Sequence, residues 1–196
     1  MNWGNSKNIT SISKHARFEL IVRPHITALY QTAYRFCGNQ VDAEDLIQDL
    51  LLKLYPKYDE LIKIENLKSW MSRVLYHLYI DKIRQYDRRP DIAPDIDPDA
   101  INNIHTHADT PETDLDNSLI RKEISCAMQV LNADQKALIV LHDMEEYTLP
   151  ELSKMLDTPV GTLKSRLHRA RHSLRETLQK RAQKLEPFPE FKRVIK

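Results

Sequence analysis

Glycine is almost absent from this chain of 196 residues, which contains only three. A sheet-rich protein needs glycine at hairpin turns and bulges, so its scarcity argues against a β fold. The composition, with 41% hydrophobic and 29% charged residues, instead falls into long stretches of helical periodicity. We therefore predict an all-α protein with small packed cores.

Cysteine is also scarce, and long apolar runs are missing. Cys37 and Cys126 lie far apart in the sequence without CxxC spacing, which indicates reduced thiols of a cytosolic protein. No apolar run approaches the roughly 18 residues that suggest a membrane span. The first residues lack the basic-then-apolar order of a signal peptide. We therefore expect a soluble, cytoplasmic protein without direct membrane insertion.

Lysine and arginine are missing from residues 90–116, whereas the net charge of the whole chain is +1. This segment carries four prolines and eight carboxylates, namely Asp91, Asp95, Asp97, Asp99, Asp109, Glu112, Asp114 and Asp116. Its apolar residues are too few to offset the entropy of ordering, which indicates a flexible acidic linker. We predict two small helical domains, at residues 1–89 and 117–184, joined by this linker and followed by a tail at 185–196.

The N-terminal domain is predicted to contain about four helices. A short helix spans His15 to Val22, and Pro24 starts a second one that ends before Gly38. Asp42 caps the third helix, which has a buried face and ends at Pro56. The fourth runs from about Leu67 to Tyr86. The buried face of the third helix consists of Ala43, Leu46, Ile47, Leu50 and Leu54.

The C-terminal domain is predicted to end in a helix-turn-helix. One helix begins at Asp116, and Asn132 with Gln135 caps the next. Thr148 and Glu151 form a capping box for a short helix, which ends at Asp157 before a second helix. Two helices joined by such a short turn, of which the second is basic, are typical of DNA-binding proteins.

The basic helix has two different faces. The apolar residues recur every three or four positions and are expected to pack on the preceding helices: Val160, Leu163, Leu167, Ala170 and Leu174. Basic and polar residues occupy the other side, and such side chains bind phosphates and base edges. A solvated charged face is the alternative, but the preceding short helix and the near absence of acids favour DNA binding.

Four stretches together resemble extracytoplasmic-function sigma factors of the sigma-70 family. They are "TAYRFCGNQVDAEDLIQDLLLKLY" and "LKSWMSRVLYHLYIDKIR" in the N-terminal domain, and "LNADQKALIVLHDMEEYTLPELSKMLD" and "TPVGTLKSRLHRARHSLRE" in the C-terminal one. The resemblance implies a promoter-specificity subunit of bacterial RNA polymerase that is not itself an enzyme and needs no cofactor or metal. Asp157 departs from the pattern, since glycine is common in that turn, although Asp tolerates the left-handed conformation.

The resemblance also implies how the chain contacts promoter DNA. The C-terminal domain recognises the minus-thirty-five element through Lys164, Ser165, His168 and Arg169, while Arg166 and Arg171 contact phosphates. In the N-terminal domain, aromatic and basic residues alternate between Asn66 and Arg89, and such residues suit unpaired bases and a single strand. The residues assigned to the minus-ten element are Trp70, Arg73, His77, Arg84, Arg88 and Arg89.

Two of these assignments have alternatives. Core packing is favoured for Trp70 considered alone, because large aromatic side chains are mostly buried. His77 replaces an asparagine that is usual in the family, which leaves the minus-ten preference open.

The resemblance further implies protein partners. The third helix has an exposed acidic face that docks on the clamp helices of the largest polymerase subunit through Asp45, Gln48 and Asp49. Carboxylates near a helix N-terminus also stabilise the helix dipole, which is the structural alternative. The acidic linker is expected to extend toward the polymerase active centre and RNA exit path. An anti-sigma factor is expected from the family alone.

Two rival functions remain open at this point. A helix-turn-helix regulator with a helical sensor domain would bind duplex DNA without polymerase. A metal-dependent hydrolase would use His77 and Asp81, which share a helix face, but further ligands are missing. Separately, His105 and His107 in the linker could suggest a metal site, but a third ligand at suitable spacing is missing from the sequence.

Overall fold

The computed structural model describes residues 14–88, 120 and 123–184, and these form two helical domains. The N-terminal domain consists of α1 (Lys14–Cys37), α2 (Gln40–Leu54), a 3-10 turn (Tyr55–Lys57), α3 (Tyr58–Leu61) and α4 (Leu67–Asp87). The C-terminal domain consists of α5 (residues 123–128), α6 (Ala133–Ile139), a π-helical turn (Val140–Met144), α7 (Leu149–Leu156) and α8 (Val160–Lys184). The described residues contain no strand, so the predicted all-α class is confirmed.

Helix α1 is continuous through Pro24, so the prediction of two separate helices was wrong. Proline removes one backbone hydrogen bond, normally to the carbonyl four residues earlier. That carbonyl belongs to Leu20, whose side chain is 64% exposed, and Pro24 itself is exposed. Because the interruption lies on the solvent side, water can satisfy the free carbonyl. Phe18, Val22 and Leu29 keep the opposite face of the helix in the core.

Helix α2 begins two residues earlier than the predicted cap at Asp42, so that prediction was also wrong. The cap is Asn39, whose side-chain oxygen accepts a hydrogen bond from the backbone N–H of Asp42 at 2.8 Å. The side-chain amide of Asn39 donates to the Asp42 carboxylate in return. Gly38 precedes the cap with φ +81°, the left-handed conformation that ends α1 as predicted. The predicted apolar face of α2 is buried.

The helix boundaries of the C-terminal domain agree with the sequence more closely. The predicted capping boxes are both present: Asn132 with Gln135 begins α6, and Thr148 with Glu151 begins α7. Asp157 ends α7 with φ 50°, the left-handed conformation expected of a residue that replaces glycine in this turn. The start predicted at Asp116 lies outside the described residues.

The two domains share one hydrophobic core. Leu29, Phe36 and Met71 from the N-terminal domain belong to the same buried cluster as Leu141 and Leu152 from the C-terminal domain. Elements α1 and α4 contact α6, and α4 also contacts α7. The first helix of the helix-turn-helix therefore packs directly against the helix that carries the minus-ten assignments. Within the described part of the chain, no helix is both long and apolar enough to span a membrane.

Candidate nucleic-acid interface

The helix-turn-helix is held by hydrogen bonds at its turn. After Asp157 turns the chain, the backbone N–H of Thr158 donates to the Ser153 carbonyl at 3.2 Å, and its hydroxyl donates to the Leu156 carbonyl at 3.1 Å. These bonds satisfy carbonyls that the end of α7 would otherwise leave free. The direction of α8 relative to α7 is thereby fixed.

Helix α8 divides into a buried and an exposed face. Leu163, Leu167 and Ala170 are at most 3% exposed, so they anchor the helix on the domain core. Val160 is 41% exposed, and its predicted burial was wrong because it lies at the first position of the helix, beyond the packed turns. All six residues assigned to the minus-thirty-five element are exposed: Lys164, Ser165, Arg166, His168, Arg169 and Arg171. A rigid helix therefore presents them together to solvent.

The six residues are not equally free to bind DNA. The guanidinium of Arg171 forms an ion pair with Asp143, in which its Nε donates to Oδ2 at 3.0 Å. This hydrogen bond raises the pKa of Arg171 above its ordinary value. The hydroxyl of Ser165 donates to the Thr162 carbonyl at 2.9 Å and keeps its oxygen as an acceptor. Phosphate binding by Arg171 would have to replace or share its contact with Asp143.

The far end of α8 is fixed by a second ion pair. Arg181 Nε donates to Glu123 Oε2 at 2.5 Å, and Arg181 Nη2 donates to the other oxygen at 3.3 Å. This paired contact joins α8 to α5 and gives the bidentate geometry favoured by arginine. The long basic helix is therefore anchored beyond the exposed residues as well as beneath them.

Helix α4 presents the residues assigned to the minus-ten element. Asn66 caps it by accepting a hydrogen bond from the Ser69 N–H at 3.1 Å. Arg73, His77, Arg84 and Arg88 are exposed, whereas Arg89 lies outside the described residues. Trp70 is half-buried against the core, which agrees with its favoured packing role. Partial burial and the nearby Arg73 lower the pKa of His77, so its ring is neutral at pH 7.

Not every aromatic residue in this segment is available to bases. Tyr79 is 4% exposed and stacks on Phe36 with the ring centroids 4.9 Å apart, so this ring cannot stack on a base. Tyr76 donates its hydroxyl proton to Asp134 at 2.9 Å. Burial and this hydrogen bond raise the pKa of Tyr76. Alternation of aromatic and basic residues could not distinguish these rings, because burial depends on the helices packed against α4.

The acidic face of α2 contains more than the predicted residues. Asp45, Gln48 and Asp49 are exposed, and Lys82 lies 3.7 Å from the Asp45 carboxylate. The helical spacing places Val41 and Leu52, which are 70% and 72% exposed, on the same face. The sequence did not point to these two aliphatic residues, because aliphatic side chains of an amphipathic helix are expected on its buried face.

Metal chemistry receives no support within the described residues, where no three His, Cys, Asp or Glu side chains form a group able to hold an ion. His77 and Asp81 therefore lack a third protein ligand in this part of the structure. His105 and His107 lie outside it.

Two family models match this chain, one in each domain. The model of sigma-70 region 2 matches residues 21–89, and the model of sigma-70 region 4 matches residues 121–174. The first match contains α2 and α4, and the second contains the helix-turn-helix. The chain belongs to the extracytoplasmic-function group of the sigma-70 family.

Curated relatives of this group cover most of the chain. The RNA polymerase sigma-E factor of Streptomyces antibioticus is 30% identical, with 84% of this chain and 86% of the relative covered. The ECF sigma factor SigW of Bacillus subtilis is 29% identical over 83% and 89%. SigE of Mycolicibacterium smegmatis is 30% identical over 82% of this chain, which spans 61% of that relative's length.

Two solved structures share the fold. The sigma factor RpoE of Bartonella quintana, in complex with the anti-sigma factor NepR, has a TM-score of 0.64 at 24% identity over 83% of this chain and 96% of that one. CnrH in complex with the cytosolic domain of CnrY has a TM-score of 0.53 at 20% identity over 86% and 90%. At these identities the likeness establishes the fold alone.

Proposed function

We propose that this protein binds core RNA polymerase and directs it to specific promoters, with the polymerase supplying all catalysis. The observation that carries the proposal is the presence, in one chain, of both matched sigma-70 regions, each with its assigned face in solvent. A sigma factor is not an enzyme in its own right and acts in the cytoplasm, where the polymerase works.

The exposed face of α8 is proposed to enter the major groove of the minus-thirty-five element. Arginine and lysine donate to guanine, whereas serine and histidine bind several base edges. Arg169, Lys164 and His168 are exposed and lack an ion-pair partner within the described residues. They are therefore the stronger candidates for base recognition, while Arg166 and Arg171 would hold the phosphates.

Helix α4 and the residues after it are proposed to bind the opened minus-ten strand. The exposed cations Arg73 and Arg88 suit the backbone of a single strand, and Arg84 and Arg89 would extend that contact. His77, neutral at pH 7, can donate one hydrogen bond and accept another. Trp70 would then contribute the edge of its half-buried ring to the wall of this site.

The exposed acidic face of α2 is proposed to dock on the clamp helices of the largest polymerase subunit. Asp45, Gln48 and Asp49 give this face its polar character, and Val41 and Leu52 flank them. An interface of this kind, with apolar contacts beside charged ones, is common in protein association.

An anti-sigma factor is proposed as a further partner. Both solved structures described above are complexes of a sigma factor with an anti-sigma factor. Their likeness to this chain makes the same class of partner a reasonable expectation for it.

Run-off transcription tests the proposed function. Core polymerase, a library of promoter fragments and the purified protein should give discrete transcripts, whereas core alone or protein alone should give none. A matched reaction with Asp49→Arg checks that transcripts depend on the docking face. The helix-turn-helix regulator remains the competing function, and specific binding to duplex DNA by the free protein, without any transcript from added core, would favour it.

A further inference from the structure

A single carboxylate connects the two domains. Glu145 directly follows the π-helical turn of the C-terminal domain, and all the side chains that bind it come from the N-terminal domain. Its Oε1 accepts hydrogen bonds from Thr32 Oγ1 at 2.8 Å and Arg35 Nη1 at 2.6 Å. Its Oε2 lies 3.5 Å from Lys68 Nζ. The Glu145 side chain is only 9% exposed, so these partners replace most of its water.

The backbone around Glu145 holds this carboxylate in place. Its own N–H donates to the Val140 carbonyl at 3.0 Å, which completes the π-helical turn. Glu146 follows with φ 61°, a conformation uncommon outside glycine. His142 Nδ1 donates to the Tyr147 carbonyl at 2.6 Å, and this carbonyl can only accept. π-Helical turns are rare and often occur at functional sites.

Three further hydrogen bonds cross between the domains near Glu145. The Tyr147 hydroxyl donates to Ser72 Oγ at 3.2 Å, and the Tyr76 hydroxyl donates to Asp134. Lys136 Nζ donates to the Phe36 carbonyl at 3.2 Å. Around these bonds lies the shared hydrophobic core. The two domains are therefore held in one defined orientation.

This orientation conflicts with simultaneous use of both DNA sites. Promoter elements centred at minus thirty-five and minus ten are about 25 base pairs apart, which is roughly 85 Å of B-form DNA. A compact protein of 196 residues has a radius of gyration of about 16 Å. Domains joined by direct hydrogen bonds cannot reach both elements on straight DNA, so the domains have to separate.

We propose that Glu145, with Thr32, Arg35 and Lys68, is an autoinhibitory latch that keeps the domains closed until the protein engages polymerase and promoter. This inference rests on the proposed function as a sigma factor. A buried ion pair gives little net stability, because desolvation offsets the attraction between its charges. When the domains separate, water replaces the lost partners on Glu145. The latch is therefore specific in geometry and reversible.

The latch uses a different face of α4 from the DNA contacts. Lys68, Ser72 and Tyr76 are spaced by four residues and form one stripe toward the C-terminal domain. Arg73 and His77 lie about a third of a turn away and are exposed. Disrupting the latch therefore leaves the assigned DNA-binding residues in place.

The first test compares two charge reversals at adjacent positions. Glu145→Lys places a cation against Arg35 and Lys68, whereas Glu146→Lys makes the same change at an exposed residue. Small-angle X-ray scattering of the full chain should show a radius of gyration roughly 1.2- to 1.5-fold larger for Glu145→Lys. Glu146→Lys should match the wild type. Equal radii for all three proteins would overturn the latch.

A charge reversal in the N-terminal domain tests the same contact independently, in case the Glu145→Lys protein misfolds. Arg35→Glu should open the protein in the same way, and circular dichroism checks that both variants stay helical. Arg35→Glu combined with Glu145→Lys restores an ion pair, so the double variant should be more compact than either single one. The proposal is wrong if Arg35→Glu leaves the protein compact and the double variant has the same radius of gyration as Glu145→Lys.

The functional readout is the protein concentration that gives half-maximal run-off transcription with core. If the closed form dominates, the apparent affinity is reduced by the fraction of open protein. Glu145→Lys should lower the half-maximal concentration roughly threefold to tenfold relative to Glu146→Lys. An unchanged concentration with an expanded radius would overturn the inhibitory role. If no protein gives transcripts, the wild type included, the proposed function as a sigma factor is refuted. The scattering comparison would still decide whether the Glu145 contact closes the domains.

Discussion

Neighbouring cations on α8 differ in what surrounds them. Arg169 is exposed, whereas Arg171 is held by Asp143. An unpaired guanidinium is free to form two hydrogen bonds with guanine, but a paired one must first give up or share its carboxylate. At the scale of single residues, this distinction makes Arg169 the better candidate for recognising sequence.

Arg169→Ala should weaken promoter binding by roughly 1–3 kcal/mol. The loss should concentrate on particular base changes in the minus-thirty-five element, because a base contact discriminates among sequences. Binding of holoenzyme to a set of single-base promoter variants measures it. Lys180→Ala removes an exposed cation from the same helix and is the matched control. A uniform loss across all variants would make Arg169 a phosphate contact.

Among single elements, α2 combines a buried packing face with the proposed docking face. Its buried residues fix it in the N-terminal core, and its opposite face leaves Asp49 in solvent. A charge reversal on that exposed face creates no cavity and no buried charge. The helix can therefore be altered on its outer side while the fold persists.

Asp49→Arg should impair binding to core polymerase and leave the isolated protein folded. The physical reason is that a cation replaces an anion at the centre of the proposed docking face. Titration of fluorescently labelled protein with core measures the affinity, and circular dichroism measures the fold. Asp59→Arg makes the same reversal at an exposed position of α3 and should bind normally. An unchanged affinity for Asp49→Arg would remove the docking assignment.

The capping box of α7 gives a second prediction at the same scale. Thr148→Ala should lower the free energy of unfolding by about 1 kcal/mol, since the cap satisfies a free N–H of the helix. Hydrogen bonds from Thr148 lower the pKa of Glu151. Their contribution is therefore complete at pH 7 and is lost as the pH falls through the lowered pKa. Urea unfolding at pH 7 and in acid measures both effects.

Thr148→Ser keeps the hydroxyl and serves as the control for this substitution. It should retain nearly the wild-type stability, because serine and threonine cap helices similarly. Equal losses for Ala and Ser would mean that the threonine methyl, and not the cap, stabilises α7.

For the whole molecule, the two domains are proposed to make different kinds of DNA contact. The α8 face suits a duplex groove, and the segment that ends α4 suits a single strand. Replacing Arg88 and Arg89 together by alanine should therefore reduce transcription from duplex promoters much more than from pre-melted ones. Run-off from the two templates measures the difference.

Arg17→Ala combined with Arg23→Ala removes two exposed cations from α1 and should affect both templates alike. Equal losses on both templates for the Arg88 and Arg89 pair would reduce these arginines to general electrostatic contacts, whose effect fades as salt is added.

Local sequence determined most of the individual helices. Several local features act within a few residues of the chain, so the sequence identifies them. They are the capping residues Asn132 and Thr148, the left-handed residue Asp157 and the apolar face of α2. The same applies to the exposed basic face of α8, because helical periodicity separates it from Leu163 and Leu167. The four stretches that resemble the family were likewise sufficient to identify it from the sequence.

Tertiary structure decided which local signals prevailed and how the domains meet. Pro24 stays inside a helix because the Leu20 carbonyl, which it leaves without a donor, lies on the solvent side. Tyr79 is buried because Phe36 lies against it. Glu145 carries no signal in its own sequence, since its partners Thr32 and Arg35 lie 113 and 110 residues away. Such contacts depend on the packing of whole domains, and a pattern that spans a few turns of helix contains no information about them.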